Sequence, residues 1–588
     1  MITRSHSRWA PLRVSLWAAL WFIGIRLLYR VVFLGASGGG LTLWNIQPIH
    51  LPGPFSLITI GGRVSTGGLW STIVDALPFA ALILAFGLLF SLVDARRLIA
   101  EAARFRFGRG LLTAVAIGVS TYPSLVTSWR SIRQVHRFRR ESGRFSVFAP
   151  LFERTLERSQ TLAASMEVRG FGHSVPRPEP DCAAPVTTTA LALRPVRSLI
   201  STGSIAGPVE ITAPALRLEL GDLVLLTGPT GSGKTTLLRA LTGLHTGFDQ
   251  GSFTGSITVG GLDRASLATA DTAHFVGFVS QRVRDSFVAP SVADELGFGL
   301  QMQGMTRGAR EVRLREVVAL LGIQHLLEQR VETLSAGQAV LVAIGAALAT
   351  RPTLLLLDEP FADLDAEQSQ HVADTLAHLA EHTQMCIVIA EHRTEFVSAF
   401  ATRTIELSSP VEPQSPVEPH SPVERVETTP TNPITALVGP NGCGKTTRLV
   451  AHANANASSV TLVPENLGDF FTRDTVAREL ARSDHTARAS SGTTRTAFEA
   501  LVGTTVSHSM HPRDLSAGQQ LALAIAIGLA GAPRELLIDE PTRGLDTNAR
   551  QELIRLLHDA ANHTSITVAT HDERFIDLLN ATREEVVA

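Results

Sequence analysis

Two segments of this chain have the residue types and spacing to hold a triphosphate. The first reads Gly228-Pro229-Thr230-Gly231-Ser232-Gly233-Lys234-Thr235-Thr236, and the second Gly439-Pro440-Asn441-Gly442-Cys443-Gly444-Lys445-Thr446-Thr447. Glycines let successive backbone N–H groups curl around phosphates, and the threonine after each lysine can ligate Mg2+. Lys234 and Lys445 are the only lysines in 588 residues; every other basic residue among the 52 is arginine. Lysine persists where a compact ammonium must reach between the β- and γ-phosphates, a space poorly suited to a planar guanidinium. The chain is therefore expected to bind nucleotide, with Mg2+, at two places.

The same landmarks follow each loop in the same order. In the first half they are Gln281, Leu334-Ser335-Ala336-Gly337-Gln338, Asp358-Glu359-Pro360, Asp363-Leu364-Asp365 and Glu391-His392; in the second they are Glu465, Leu515-Ser516-Ala517-Gly518-Gln519, Asp539-Glu540-Pro541, Gly544-Leu545-Asp546 and Thr570-His571. Serine precedes the aspartate by the same interval in both halves, 335 to 358 and 516 to 539. Ordered repetition of this kind signals two copies of one domain.

The chemistry explains the order. An apolar run ending in Asp-Glu reads as a parallel strand that delivers carboxylates at its C-terminal end, where α/β proteins bind ligands. Asp358 and Asp539 can hold Mg2+ together with Thr235, Thr446 and Gln281. Glu359 and Glu540 can polarise an attacking water. His392 and His571, each ending another apolar strand, can contact the γ-phosphate. The segments that open at Ser335 and Ser516, with Gly337, Gln338, Gly518 and Gln519, start helices and offer N–H groups and a hydroxyl to the phosphate held by the other half.

The elements around these sites fall into three regions. The first 172 residues are hydrophobic and contain all six tryptophans. Ala76–Val93 and Gly110–Trp129 are uncharged and long enough to cross a bilayer. Leu12–Leu34 is apolar but carries Arg26 and Arg30. Each arginine near a bilayer centre costs roughly 2.5–3.5 kcal/mol, so this helix needs protein neighbours or arginines close to an interface. Gly35–Gly62 reads as a loop or re-entrant segment. Arginines between Arg130 and Arg158 alternate with apolar residues at helical spacing, and the positive-inside tendency places them on the cytoplasmic side. Arg96 to Arg109 precede the Gly110–Trp129 span, and both flanks cannot be cytoplasmic if that span crosses once.

Residues 173–200 read as a Pro/Thr-rich linker leading to the first nucleotide domain at 201–407. Residues 408–433 form a second linker with three copies of Ser-Pro-Val-Glu, before the second domain at 434–588. About 25 residues of polyproline II at ~3.1 Å each could span up to ~75 Å, enough for the flanking domains to meet face to face. A net charge of −2 lacks the basic face that nucleic-acid binding usually requires. Three scattered cysteines make neither a disulfide framework nor a zinc site, and Cys443 inside a phosphate loop fits a reducing compartment.

Over about 390 positions these motifs resemble the ATPase domains of ABC transporters. The resemblance implies two α/β P-loop domains that hydrolyse ATP with Mg2+. The second half departs from the pattern. Lys445 to Glu465 is a much shorter interval than Lys234 to Gln281, so most of the antiparallel β-subdomain beside the adenine is expected to be missing. Glu465 also stands where the family usually has glutamine, and the first half lacks the aromatic residue often found upstream for adenine stacking.

Leu162-Ala163-Ala164-Ser165-Met166-Glu167-Val168-Arg169-Gly170-Phe171-Gly172 is similar to the coupling element of the transmembrane T component of energy-coupling factor transporters, and Leu92-Val93-Asp94-Ala95-Arg96-Arg97-Leu98 resembles another stretch of that component. That resemblance implies an α-helical transmembrane and coupling region, residues 1–172, in the cell membrane, with cytoplasmic ATPase domains. It implies uptake of a micronutrient captured by a separate S component. Arg169 is expected to dock near the position of Gln281 or Glu465, with Asp285 and Asp469, each four residues further on, as acidic partners. Other ABC importers or exporter subunits fit the same motifs. Soluble twin-cassette ATPases acting on ribosomes fit less well, because the apolar spans and the lack of a basic arm argue against them.

Overall fold

The computed structural model describes residues 10–34, 39–50, 59–92, 125–139, 147–172, 186–194, 211–229, 231–408, 432–439, 443–457, 459–502, 506–542, 545 and 547–586. The segment Asp94–Leu98, most of the Gly110–Trp129 span, the Ser-Pro-Val-Glu repeats, and Thr230, Pro440, Asn441, Gly442, Gly544 and Asp546 lie outside them. The chain divides into two compact units, Met1–Tyr122 and Pro123–Ala588.

In the first unit, helix Ala10–Tyr29 continues through a short wide turn, Arg30–Leu34, and packs against helix Thr66–Leu92. Phe22 meets Phe79, the Arg26 guanidinium donates to the Asp75 carbonyl at 3.3 Å, and Gly87 lies against Ser15. Residue numbers rise along one helix as they fall along the other, so the pair is antiparallel. A Cβ on Gly87 would sit 2.2 Å from the Ser15 hydroxyl oxygen, so glycine permits the close approach. Arg26 thus has the protein neighbours its position demands. Leu12–Val32 and Thr66–Leu88 are each long and apolar enough to cross a membrane. Their outward side chains include Trp17, Trp21 and Trp70, all about two-thirds exposed. The segment expected as a loop or re-entrant turn instead contains two antiparallel strands, β1 (Thr42–His50) and β2 (Thr59–Ser65). Its Leu-Thr-Leu-Trp-Asn-Ile alternation suits a ladder better than a turn.

The second unit begins with two helices, one over residues 125–138 and one at Phe148–Val168. Two nucleotide-binding cassettes follow. In cassette 1 a five-stranded parallel sheet has the order β11-β12-β13-β7-β14, where β7 is Leu223–Thr227, β11 Val276–Val279, β12 Leu354–Asp358, β13 Cys386–Ala390 and β14 Arg403–Glu406. β12 and β13 are buried at every residue, as strands covered on both faces by helices must be. In cassette 2 the order β16-β17-β18-β15-β19 repeats the same topology, with β15 Ile434–Val438, β16 Val460–Val463, β17 Glu535–Asp539, β18 Ser565–Thr570 and β19 Thr582–Glu585.

Cassette 1 carries two antiparallel sheets beside its parallel one. β3 (Val186–Thr188) joins β6 (Arg217–Leu218), β9 (Ile257–Val259) and β10 (Leu262–Asp263), and β4 (Leu191–Arg194) joins β5 (Ile211–Ala213) and β8 (Ser252–Thr254). Residues 173–200, expected as a linker, therefore contain two strands of cassette 1. Their buried and exposed residues alternate, with Val186, Thr188, Leu191 and Leu193 facing the core. Threonine is β-branched and serves a strand as readily as a linker. Among the described residues of cassette 2 every strand pairing is parallel, so the antiparallel subdomain is absent there.

Candidate functional site

Each phosphate loop runs from the end of an interior strand, β7 or β15, into a helix that begins at its lysine, Lys234–Thr242 or Lys445–Ala455. The residues before these lysines, Gly233 and Gly444, have φ of 96° and 98°, a left-handed turn that aims the helix N-terminus back over the strand. At Gly233 a Cβ would also collide with the Ile211 side chain at 2.2 Å. Lys234 Nζ donates to the carbonyls of Gly228 at 2.7 Å and Pro229 at 3.2 Å, and Lys445 Nζ donates to that of Gly439 at 2.7 Å. Gly231, Ser232, Cys443, Thr236 and Thr447 complete the described loops and first helical turns.

The Asp-Glu pairs end β12 and β17 as expected. Thr235 donates to Asp358 Oδ1 at 3.0 Å, and Thr446 hydrogen-bonds the Asp539 carboxylate. Burial, and then the charge of Glu359, pushes the Asp358 carboxyl up to about 7. Burial, with Glu465 and Glu540 nearby, does the same at Asp539. Carboxylates desolvated like this are short of a cation. Asp539 Oδ1 and Ser232 Oγ are moreover buried without a hydrogen-bond partner. A divalent ion beside each aspartate and a phosphate over Ser232 fit these unused groups. Bound there, Mg2+ would neutralise phosphate charge.

Glu359 and Glu540 both adopt φ of 45°, a left-handed conformation costly for a non-glycine residue and concentrated at functional sites. Their N–H groups are held by Ala390 and Ala569 at 2.8 Å, which pins the strain between adjacent strands. Glu359 accepts from Gln281 Nε2 at 2.7 Å and lies 3.2 Å from His392 Nε2. His392 in turn lies 3.0 Å from Lys234 Nζ. Glu540 lies 3.1 Å from His571 Nδ1 and 3.7 Å from Lys445 Nζ. Burial alone would raise the Glu540 carboxyl, but the His571 hydrogen bond and the His571 and Lys445 charges hold it below the ordinary range. Glu465 is exposed and cannot donate the hydrogen bond that Gln281 supplies in cassette 1. A cavity of about 690 Å3 between the cassettes is lined by Gly228, Glu359 and His392 from one and Thr542, Arg550 and His571 from the other.

Ser335 and Ser516 cap the helices Ala336–Leu348 and Ala517–Leu529. Gln338 and Gln519 fold back onto the N–H groups of these serines to complete capping boxes. The two glutamines, expected to contact nucleotide, are engaged in ordering these helix starts. Gly337 and Gly518 follow in the first turn, and the Gly337 N–H donates to Gln368 at 3.2 Å.

The helical region ahead of cassette 1 departs from expectation in its partners. Arg169 is buried and pairs with Glu295, not with Asp285 or Asp469. Asp285 ends a short turn, Val283–Asp285, and Asp469 is taken by Arg154 and by Ser131 at 3.2 Å. Glu295 also accepts from the N–H groups of Val288 and Ala289 at 2.8 and 2.7 Å. Cassette 2 repeats this socket. Arg139, at the end of the 125–138 helix, pairs with buried Glu479 at 2.9 Å, stacks on Phe470 and donates to the Phe470 carbonyl. Glu479 accepts from the N–H groups of Thr472 and Arg473. Both glutamates stand 14 residues past the Gln281 or Glu465 position, 281 to 295 and 465 to 479. The signal was available in the chain: Val292-Ala-Asp-Glu295-Leu and Val476-Ala-Arg-Glu479-Leu repeat each other, each after a capping Ser291 or Thr475.

His136 is buried one turn before Arg139. Burial, reinforced by Arg139 and opposed by Glu479, lowers it from 6.5 to about 4. Because the folded value is the lower one, the docked state binds fewer protons. Docking of the 125–138 helix is expected to be at full strength above pH 6.5 and to weaken as pH falls toward 4. His136→Gln should flatten that dependence, measured by hydrogen exchange across the helix; an unaltered profile would remove His136 as its source.

The family profile described as ABC transporter matches residues 212–362 and 427–543. A protein of Streptomyces avermitilis, named as an ABC transporter ATP-binding protein, is 32% identical over 487 residues, covering 62% of this chain and 86% of its own. A similarly named protein of Streptomyces coelicolor is 30% identical over 493 residues, with 62% and 87% covered. The solved structure of cbiO1 from Clostridium perfringens, described as part of the ABC transporter complex cbiONQ, covers 38% of this chain and 85% of its own at 21% identity, with a TM-score of 0.33. With paired phosphate loops, Asp-Glu strand ends and strand-end histidines in both cassettes, this chain belongs to the ABC transporter family and is an ATPase with two nucleotide-binding domains.

Proposed function

We propose that the chain is the energising module of an importer of the energy-coupling factor type, joining a T-like membrane region and two ATPases in one polypeptide. The observation that carries this reading is the pair of sockets. Two successive helices each end in a buried arginine held by a glutamate at the same position of a different cassette. One helical region thereby grips both motors symmetrically, as a device that turns cassette movement into movement of a membrane part must. The exposed tryptophans and leucines on Ala10–Tyr29 and Thr66–Leu92 support a lipid setting, since such apolar surface is costly in water.

In this reading ATP lies over each phosphate loop, with Mg2+ at Thr235 and Asp358 or at Thr446 and Asp539. Glu359 and Glu540 orient and deprotonate the attacking water, and His392 and His571 steady the terminal phosphate. Ser335 and Ser516 approach the nucleotide of the opposite cassette. The transported compound is a micronutrient delivered by a small membrane protein, the S component. Membrane fractionation followed by co-purification from the native membrane tests this. A small hydrophobic protein recovered with the chain is the expected result, and recovery of the chain in the soluble or ribosomal fraction would refute it.

The two sites should differ. Among the described residues cassette 2 has no antiparallel β-subdomain beside its nucleotide, and it places Glu465 near Asp539. Fewer adenine contacts and an added negative charge should weaken ATP binding at Lys445 by about 1–2 kcal/mol, roughly 5–30-fold. Mg2+ should narrow the gap by neutralising that charge. Binding measured in Lys234→Ala and Lys445→Ala variants reads one site at a time, and equal affinities would overturn the expectation.

A further inference from the structure

We propose that Glu157 is a positioning residue for one of the two ATP sites, the one built on Lys234. It joins the segment beside Gln281 in cassette 1 to the segment before Ser516 in cassette 2. This rests on the face-to-face reading above, in which nucleotide on Lys234 also meets Ser516. Glu157 lies midway along helix Phe148–Val168, and its two carboxylate oxygens serve different cassettes. Oε2 accepts from Arg282 at 2.9 Å, and Oε1 lies 3.4 Å from Arg513 Nη1.

Both arginines adjoin the machinery. Arg282 follows Gln281, which donates to Glu359 at 2.7 Å. Arg513 precedes Ser516 by three residues, and its carbonyl accepts from Gln520 at 3.0 Å, on the helix that Ser516 caps. An exposed ion pair alone contributes little. Arg513, however, is largely buried, its side chain 13% exposed. The carboxylates that balance it, Glu153 at 3.1 Å and Glu157, both come from this one helix, and within cassette 2 it donates to the Gly468 carbonyl at 2.7 Å. Movement of the helix therefore moves Arg513, and with it the start of the Ser516 helix.

Among the described residues the twin site shows no such connection. At the positions equivalent to Arg282 and Arg513 stand Asn466, next to Glu465, and Glu332, three residues before Ser335. Asn466 caps its own turn by accepting from Gly468 N at 3.1 Å. Glu332 is already paired with Arg330 at 2.7 Å and would repel a second carboxylate. The helix thus bridges both sides of one composite site; at the other it reaches the Glu465 side through Arg154 and Asp469, but among the described residues its side chains make no hydrogen bond or ion pair with the segment before Ser335.

The test is MgATP and MgADP binding to the full chain, in the Lys445→Ala background for the Lys234 site and the Lys234→Ala background for the Lys445 site. Glu157→Gln, which keeps size and removes charge, should weaken MgATP at the Lys234 site by about 5–10-fold. The Lys445 site should change less than about twofold, and MgADP binding should stay constant at both, because the Ser516 segment addresses the terminal phosphate. Arg513→Gln should give the same loss, and the double variant no more than the larger single one. Equal losses at both sites, no loss at the Lys234 site, or multiplicative losses in the double variant would each overturn the proposal. Ser516→Arg separates its two layers. If that change weakens the Lys234 site while Glu157→Gln does not, only the positioning role is wrong. If it weakens the Lys445 site instead, the face-to-face pairing is wrong and the proposal falls with it.

Discussion

Glu359→Gln is expected to slow steady-state ATP hydrolysis by about 10²–10⁴ while leaving nucleotide binding in place. The carboxylate is positioned for a base: it ends a fully buried strand, is held at φ 45°, and lies within hydrogen-bonding range of Gln281 and His392. Glutamine preserves the volume and accepts the same neighbours but cannot take a proton from water. Because the Asp358–Thr235 pair and the Lys234 loop are untouched, MgATP affinity should stay within a few-fold. Glu540→Gln should act in the same direction, and either substitution should stall the cycle if hydrolysis at both sites is required. Single-turnover hydrolysis and equilibrium binding on the same preparations check this. Unchanged turnover in Glu359→Gln would assign the base elsewhere.

Arg169→Ala is expected to release helix Phe148–Val168 from cassette 1. The substitution removes one member of a buried ion pair and leaves Glu295, itself fully buried, without its countercharge. Breaking such a pair from one side typically costs about 3–5 kcal/mol, more than the net worth of the pair, because the remaining charge stays desolvated. Gly170 adds a geometric constraint: its φ is +88°, and a Cβ there would press on Ala273 at 3.3 Å. ATP binding by the separate loops should persist, while hydrogen exchange at the C-terminal end of the helix rises and coupling to transport is lost. Combining Arg169→Met with Glu295→Gln should recover part of the docking, since no charge is then stranded and the amide oxygen can still accept from Val288 and Ala289. Normal protection and normal transport in Arg169→Ala would show that the socket does not hold the assembly.

The nucleotide chemistry was legible in the chain because it is local. A phosphate loop, a strand ending in Asp-Glu and a capping serine are each built from consecutive residues, so their order alone points to the roles proposed for them. Lys234, Lys445, Asp358, Asp539, Glu359 and Glu540 all occupy the places their spacing implies. The short interval between Lys445 and Glu465 likewise leaves room for one helix and one strand, and the described residues of cassette 2 hold no antiparallel sheet. The strands at Val186 and Leu191 were harder to see. A three- or four-residue strand has no periodicity of its own, and it becomes one only when residues 211–218 and 252–259 arrive beside it.

Only the tertiary structure decided what the arginines grip. Asp285 and Asp469 lie nearer in sequence to the Gln281 and Glu465 positions, but a helical residue covers the turn before its own Cα. Glu295 and Glu479, one turn into their helices, reach back to tie down the preceding loop and present a buried carboxylate. Arg139 meets Glu479 across 340 residues, and Arg169 meets Glu295 across 126. No local pattern encodes a pairing over such distances. What the chain alone determined was the order and spacing of the residues proposed here to bind and hydrolyse ATP. Folding determined which helix holds each cassette, because a buried charge takes the partner that packing brings within reach.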